Sequence, residues 1–295
     1  MSRGSSSAIK STEIGSTRLD MSGGAERPLL FSMLRIPGLG RAQAVHAMIY
    51  WPDLHDCPRR LTSGWGHSRI FAPEAYERVR NRQLVPIVHG EALTLAAWFP
   101  ICWQMWDGRP VLCVLRSLLP DGTGHPVRPS SASGALPAAL RAFPVILNRV
   151  ADDAPEIWID DVVADQPTDI GAPLLMSDGR LSRGAAQRVH TVMMLRRSID
   201  RTESLTDALH GAGLLEPWPL DFEVGPAGQR ARFDDLRVVR ASALASTAAI
   251  QLLRTFGADA ATFLTAHRIS LFRIAVLIQA ARAQLKSARA PEPVA

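Results

Sequence analysis

At 295 residues the chain is long enough to bury a substantial core, and 47% hydrophobic with 21% charged residues is ordinary globular composition, which excludes a wholly disordered or collagen-like polymer. The formal net charge of +5 does not describe a basic surface spread over the fold: residues 1–83 hold twelve Lys/Arg against seven Asp/Glu, and residues 84–295 hold 21 of each. Three cysteines, Cys57, Cys102 and Cys113, form no C-x-x-C pair and cannot make a disulfide framework, so they read as reduced thiols.

In chain order, residues 1–27 are rich in Ser and Gly without an apolar period and read as a disordered arm. Residues 28–66 form a variable extension whose apolar clusters are cut by Pro37, Gly38, Gly40, Pro52 and Gly64, with room for one short helix over Arg41–Met48. No secretory h-region opens the chain and no apolar run reaches the roughly 18 residues of a bilayer span, so the expectation is a cytoplasmic protein without a membrane span. Nucleic acid is not the expected partner, because the basic excess stays in the amino-terminal region.

The densest apolar stretch runs from Leu84 to Leu118 and carries Trp98, Trp103 and Trp106 together with two of the cysteines. Leu84–Val88 reads as a strand, and Pro86 places it at a sheet edge because proline cannot donate to a ladder. Glu91–Phe99 reads as a helix stopped by Pro100, with Glu91 suited to the positive end of its dipole. Ile101–Trp106 and Val111–Leu118 flank Asp107-Gly108, a hairpin signal because type I′ turns need positive φ. Residues 119–136 read as loop, Pro137–Ala142 as a short helix, and Val145–Leu147 and Glu156–Val162 as strands. Ser182 caps a helix to about Arg197, and a second helix covers Glu203–His210 before Gly211 and Gly213. After the Pro217–Pro219 corner come strands at Leu220–Val224 and Ala231–Val239. Ser242 caps a helix closing at Gly257, and Asp259 caps a longer one to about Leu285, with Ile250 and Leu253 facing Leu264, Leu271, Ala275 and Ile278. The expected fold is α+β: a mixed or antiparallel sheet with hairpins, packed by helices, over residues 67–289 and ending in a helical hairpin at 240–285.

Several of these segments resemble the SapC family of bacterial proteins. They are Val85-Pro86 with Glu91, Ala96-Ala97 and Phe99-Pro100-Ile101; Pro137 with Arg141, Phe143 and Pro144; Ile159-Asp160-Asp161; Gly171, Leu174 and Leu175; Asp178-Gly179; Thr206–Leu209; and Gly213-Leu214-Leu215-Glu216-Pro217-Trp218. The chain departs from the family's pattern in the loop 119–136, and in having Arg141-Ala142-Phe143-Pro144-Val145 where the family has Arg-Arg-Tyr-Pro-Phe. The resemblance implies an accessory or surface-layer-associated role and supplies neither a cofactor nor a catalytic residue.

Residue chemistry adds few sites. His89-Gly90-Glu91 has the H-x-E of zinc deaminases, but Pro100-Ile101-Cys102 lacks the P-C-x-x-C that completes such a site, so Glu91 reads as a helix-start carboxylate and no metal is expected. The acidic band Asp152, Asp153, Glu156, Asp160, Asp161, Asp165 and Asp169 lacks EF-hand spacing and reads as a solvated strand flank. Trp98, Trp103, Trp106, Trp158 and Trp218 read first as core and second as pocket lining. No G-x-S-x-G, P-loop or G-x-G-x-x-G is present. The leading expectation is a non-catalytic binding module for a protein or peptide partner, its candidate pocket drawn from Glu91, Trp98, Trp103, Arg141, Asp160, Asp161 and Trp218. Self-association through the C-terminal helices is a second partner expectation. The alternative is an enzyme acting on a peptide or small molecule where Glu91, Arg141 and Asp160 converge with Trp98 or Trp103.

Overall fold

The computed structural model describes residues 54–288 except 63, 66–67, 127–134, 149–155, 161–169 and 226–227. The described residues fall within one compact unit, Leu39–Ala295. The arm 1–27, the helix at 41–48, Asp161 and most of the acidic band lie outside the described residues.

The chain enters through β1 (Pro58–Arg60) and β2 (Arg69–Ile70), makes the single turn α1 (Glu77–Arg80), and then builds the core stretch. That stretch is β3 (Leu84–Pro86), α2 (Ala92–Leu95), β4 (Ile101–Trp106) and β5 (Arg109–Leu115). There follow α3 (Ala138–Ala142), β6 (Val145–Asn148), β7 (Glu156–Asp160), β8 (Ala172–Pro173) and the long α4 (Arg183–Gly211). The last part runs β9 (Leu215–Pro217), β10 (Leu220–Glu223), β11 (Arg230–Phe233), β12 (Leu236–Val239), α5 (Thr247–Phe256), α6 (Ala258–Ser270) and α7 (Ile274–Ser287). The class is α+β, with every pairing antiparallel: a five-stranded sheet β3-β5-β4-β12-β9, a three-stranded sheet β1-β7-β6, and the ribbons β10-β11 and β2-β8.

The β4–β5 hairpin is the centre of the large sheet, and its turn is as the Asp-Gly pair dictates: Asp107 sits at φ 47° and Gly108 at φ 79°. Both edges of that sheet are blunted by proline. In β3 the residues bonding β5 are the odd ones, since Arg116 N–H donates to Gln83 C=O and Ile87 N–H to Leu112 C=O, so Pro86 turns its missing donor to the open side. In β9 the even residues face β12, and Pro217 does the same at the opposite edge. An edge without that N–H is a poor template for another strand.

Five sequence expectations about these elements and their caps are corrected. The helices expected at 182–197 and 203–210 are one 29-residue helix. Nothing in 198–202 breaks a helix, and Ser198, Thr202 and Ser204 return their hydroxyls to carbonyls four residues back rather than competing with the ladder. The strand expected over Ala231–Val239 is two strands in different sheets, split at Asp234 and Asp235. Near the end, Ser246 rather than Ser242 caps α5, its hydroxyl accepting Ala249 N–H at 3.2 Å, because 241–245 form a 3-10 turn first. Asp259 lies in the first turn of α6 rather than at its cap, and Ile250 is exposed instead of facing the hairpin partner. Ser182 caps α4 as expected.

Candidate binding site

Glu91 follows Val88 by three residues, so its carboxylate reaches back and accepts Val88 N–H at 3.1 Å, the half of a capping box that needs no polar cap residue. Its second oxygen accepts Ala138 N–H at 2.6 Å, the first amide of α3. One carboxylate thus ties two helix starts together. Burial pushes its pKa above the usual range, and the two amides with nearby Arg141 oppose that shift. His89 faces elsewhere: its ring Nδ1 lies 2.8 Å from Thr202 Oγ1, so the H-x-E pair does not converge.

Asp160 ends β7 and is fully buried. It accepts the amides of Cys57 (2.8 Å) and Asp56 (3.1 Å), and His55 Nδ1 lies 3.8 Å away. Burial alone would raise its pKa, yet bonding to His55 and the two amides holds the carboxyl below its ordinary value. His55 stacks on Phe143 with centroids 5.4 Å apart, and burial lowers its pKa. Glu91 binds the first amide of α3, while Asp160 donates its own N–H to Pro144 C=O just beyond the helix. The Glu91 carboxylate and the Asp160 backbone amide therefore fasten opposite ends of the 138–144 segment. Arg141 is exposed on α3, and Asp161 is outside the described residues.

Trp103 is the largest fully buried side chain. Its indole N–H donates to Thr206 Oγ1 of α4 at 3.1 Å, and its ring meets Phe263 and His267 of α6 edge-on at 5.8 and 5.1 Å. His267 performs an unusual task there. The β4–β12 register pairs Leu236 with Gln104 and Arg237 with Trp103, so Val239 falls opposite Ile101. The two strands do not bond at that point. His267 Nε2 accepts Val239 N–H at 3.1 Å while Nδ1 donates to Ile101 C=O at 2.9 Å. A carbonyl only accepts, so the ring is the neutral Nδ1–H tautomer. Ser270 Oγ takes Ile101 N–H at 2.9 Å, and Arg268 donates to Val239 C=O at 3.2 Å. Helix α6 thus satisfies all four backbone groups of a missing strand pair. Burial drives the His267 pKa down to about 3, which keeps the imidazole neutral.

The described residues also form a groove of about 240 Å³ at the hairpin end of the large sheet. Side chains alternate along a strand, so the register puts Leu84, Pro86, Gln104, Trp106, Val111 and Cys113 on one face and Trp103 on the other. The first six line the groove, with Asn81, Arg82 and Gln83 before β3 and Pro120 after β5. Gly122 fixes that far wall: at φ 72°, a Cβ there would lie 1.9 Å from Asn81 C=O. Behind the wall, buried Arg116 donates to Val79 C=O at 2.8 Å and lies 6.0 Å from the Phe99 ring, with burial lowering its pKa to about 10. The groove is below the several hundred Å³ of a drug or cofactor site, and suits one or two side chains of a peptide.

Of the candidate pocket residues, Glu91, Trp98, Trp103, Arg141, Asp160 and Trp218 do not line this groove, and Asp161 lies outside the described residues. Trp98 and Trp218 are half-buried against the core, Trp103 is inside it, and Glu91 and Asp160 are saturated by backbone amides. Trp106, pocket lining in the second reading of the tryptophans, carries the groove together with Gln104. Strand alternation was the available signal, since residues 103 and 106 of one strand must face opposite ways. No group of three or more His, Cys, Asp or Glu that could hold a metal occurs among the described residues.

No curated protein and no solved structure matches the chain. The family model SapC matches residues 64–277, which spans every core element from β2 through the first turn of α7, including Glu91, Asp160, His267 and the groove. The chain belongs to the SapC family.

Proposed function

We propose that this protein is a non-catalytic accessory protein that binds a protein or peptide partner, seating a short extended segment of it in the groove bounded by Trp106, Pro86, Val111 and Pro120. The observation that supports this reading is the division of labour among the polar residues. The side chains whose chemistry could support a reaction, Glu91, Asp160 and His267, are each occupied in holding backbone groups. The exposed mixture of an indole, prolines and amides is gathered in the groove, and aromatic side chains with a few polar neighbours are what short peptide segments dock against. In keeping with the family, the partner is expected at the bacterial surface or on the way to it.

The test is selection of binders from a displayed random-peptide library on the full chain, followed by calorimetry with wild type and with Trp106→Ala. Peptides that bind wild type and lose at least roughly tenfold in affinity to the variant support the reading. A library that yields nothing, binders indifferent to Trp106→Ala, or a peptide or small-molecule turnover abolished by Glu91→Gln would each overturn it.

A further inference from the structure

We propose that the outward face of the α6–α7 helix rests on an anionic lipid surface. This goes beyond the groove and does not depend on it. Ala258–Ser287 is a continuous helical stretch of 30 residues, interrupted only by a 3-10 turn at Leu271–Arg273, with a mean hydropathy of 1.4 over its most apolar window. By length and composition it could cross a membrane, yet a third of that window is buried inside the protein. Its inner face is committed: Phe263 packs on Trp103, His267 and Ser270 complete the β4–β12 gap, and Leu277 and Ala281 are fully buried. Leaving the domain to span a bilayer would break all of that. The outward face is the part available to lipid.

At 100° per residue, Ala261, Thr265, Ile269, Phe272, Gln279 and Ala283 share that outward stripe, and all are exposed. At 1.5 Å per residue the stripe is about 33 Å long. Its members are uncharged, Arg268 at its margin turns its guanidinium to Val239 C=O, and Phe272 and Ile269 stand 81% and 57% exposed. Arg273 flanks it on one side and Arg282, which also donates to Glu223 C=O at 2.9 Å, on the other, with Lys286 near its end. No Asp or Glu occurs from residue 260 to 288, and Asp259 is paired with Arg201 at 2.9 Å. An uncharged stripe centred on Ile269 and Phe272 and edged by cations on long stems, with no acidic residue on the helix from 260 to 288, has the make-up of a helix lying in a lipid interface, Phe272 below and the cations at the headgroups.

Charge decides between occupants. A two-fold contact through the middle of the stripe would set Arg273 against its own copy beside the exposed Phe272, which opposes self-association. An acidic protein would satisfy the charges, but the stripe has Phe272 standing outward, 81% exposed, as a wedge rather than a socket.

The test is co-sedimentation of the full chain with phosphatidylcholine vesicles, with and without about 30% phosphatidylglycerol, at low and high salt. Binding is expected to the anionic vesicles only and to fall with salt. The double variant Ile269→Ser and Phe272→Ser should bind roughly tenfold more weakly, and Arg273→Glu with Lys286→Glu at least as much. These positions are exposed, so unchanged melting temperatures certify the variants' folds. The basic amino-terminal region is common to all of them and cannot produce the difference. Absence of wild-type binding, equal binding to neutral vesicles, or variants that bind like wild type would overturn the proposal. So would a sedimentation-velocity dimer that Phe272→Ser dissociates, or vesicle binding that resists alkaline extraction.

Discussion

The two ends of strand β4 are built from the same kinds of residue and treated in opposite ways. At its start, Ile101 meets no strand on the β12 side, and its amide and carbonyl are completed by Ser270 and His267 from a helix in a dry interior. At its end, Gln104 and Trp106 are also close to the limit of the β12 pairing, but no helix closes over them and the groove is left. A polar group that is buried must find a partner, whereas one at a solvated edge need not. The first end is therefore determined by hydrogen-bond satisfaction, and the second is left available for recognition.

The sharpest way to break this contrast is to remove the imidazole. His267→Ala leaves Val239 N–H and Ile101 C=O unpaired beside a cavity under Trp103, and should cost about 3–5 kcal/mol in chemical denaturation. His267→Phe fills the space but not the bonds, so it should remain clearly destabilised; a Phe variant as stable as wild type would show that the ring merely occupies volume.

A pH series sharpens the same point. His267 titrates at about 3 in the folded chain and near 6.5 when unfolded, so the unfolded chain takes up the proton first. Its contribution is complete above about pH 6.5 and drains away as pH falls toward 3. His55 acts in the same direction, and Asp160, whose pKa is lowered, adds a loss below about pH 4. Denaturation midpoints should therefore decline from near-neutral pH downward, and His267→Phe should flatten the upper part of that decline.

Glu91→Gln asks whether a buried carboxylate that fastens two helix starts can be replaced by one acceptor. It should cost about 1–3 kcal/mol, because Val88 or Ala138 loses its partner. The loss should grow as pH falls: burial raises the Glu91 pKa, so the folded wild type takes up a proton before the unfolded chain does and gains a stability that Gln, which does not titrate, cannot.

The smallest effect on stability belongs to the other end of β4. Trp106→Ala should change the unfolding free energy by no more than about 1 kcal/mol, since its ring is partly exposed, while removing the groove's main apolar wall. A large loss of stability would mean that Trp106 is core and that the contrast between the two ends is false.

Local chemistry determined a good deal of this protein. Asp107-Gly108 dictated the hairpin because few other residues tolerate positive φ at both turn positions, Pro86 dictated an edge because it has no donor, and Ser182 dictated a helix start because its hydroxyl can replace a missing acceptor. The α+β class followed from those signals, and the ordered segments from Val85 to Trp218 carried the family. What the sequence could not reveal was which polar side chains would be consumed. Glu91 and Asp160 looked like candidates for chemistry, and His267 stands without another histidine or a cysteine beside it in the sequence. Only tertiary structure puts Ala138 N–H, Cys57 N–H, Val239 N–H and Ile101 C=O where those groups must serve them. Periodicity reports which face of an element is apolar; it cannot report a backbone group from a segment about 30 to 170 residues away that arrives with an unmet hydrogen bond.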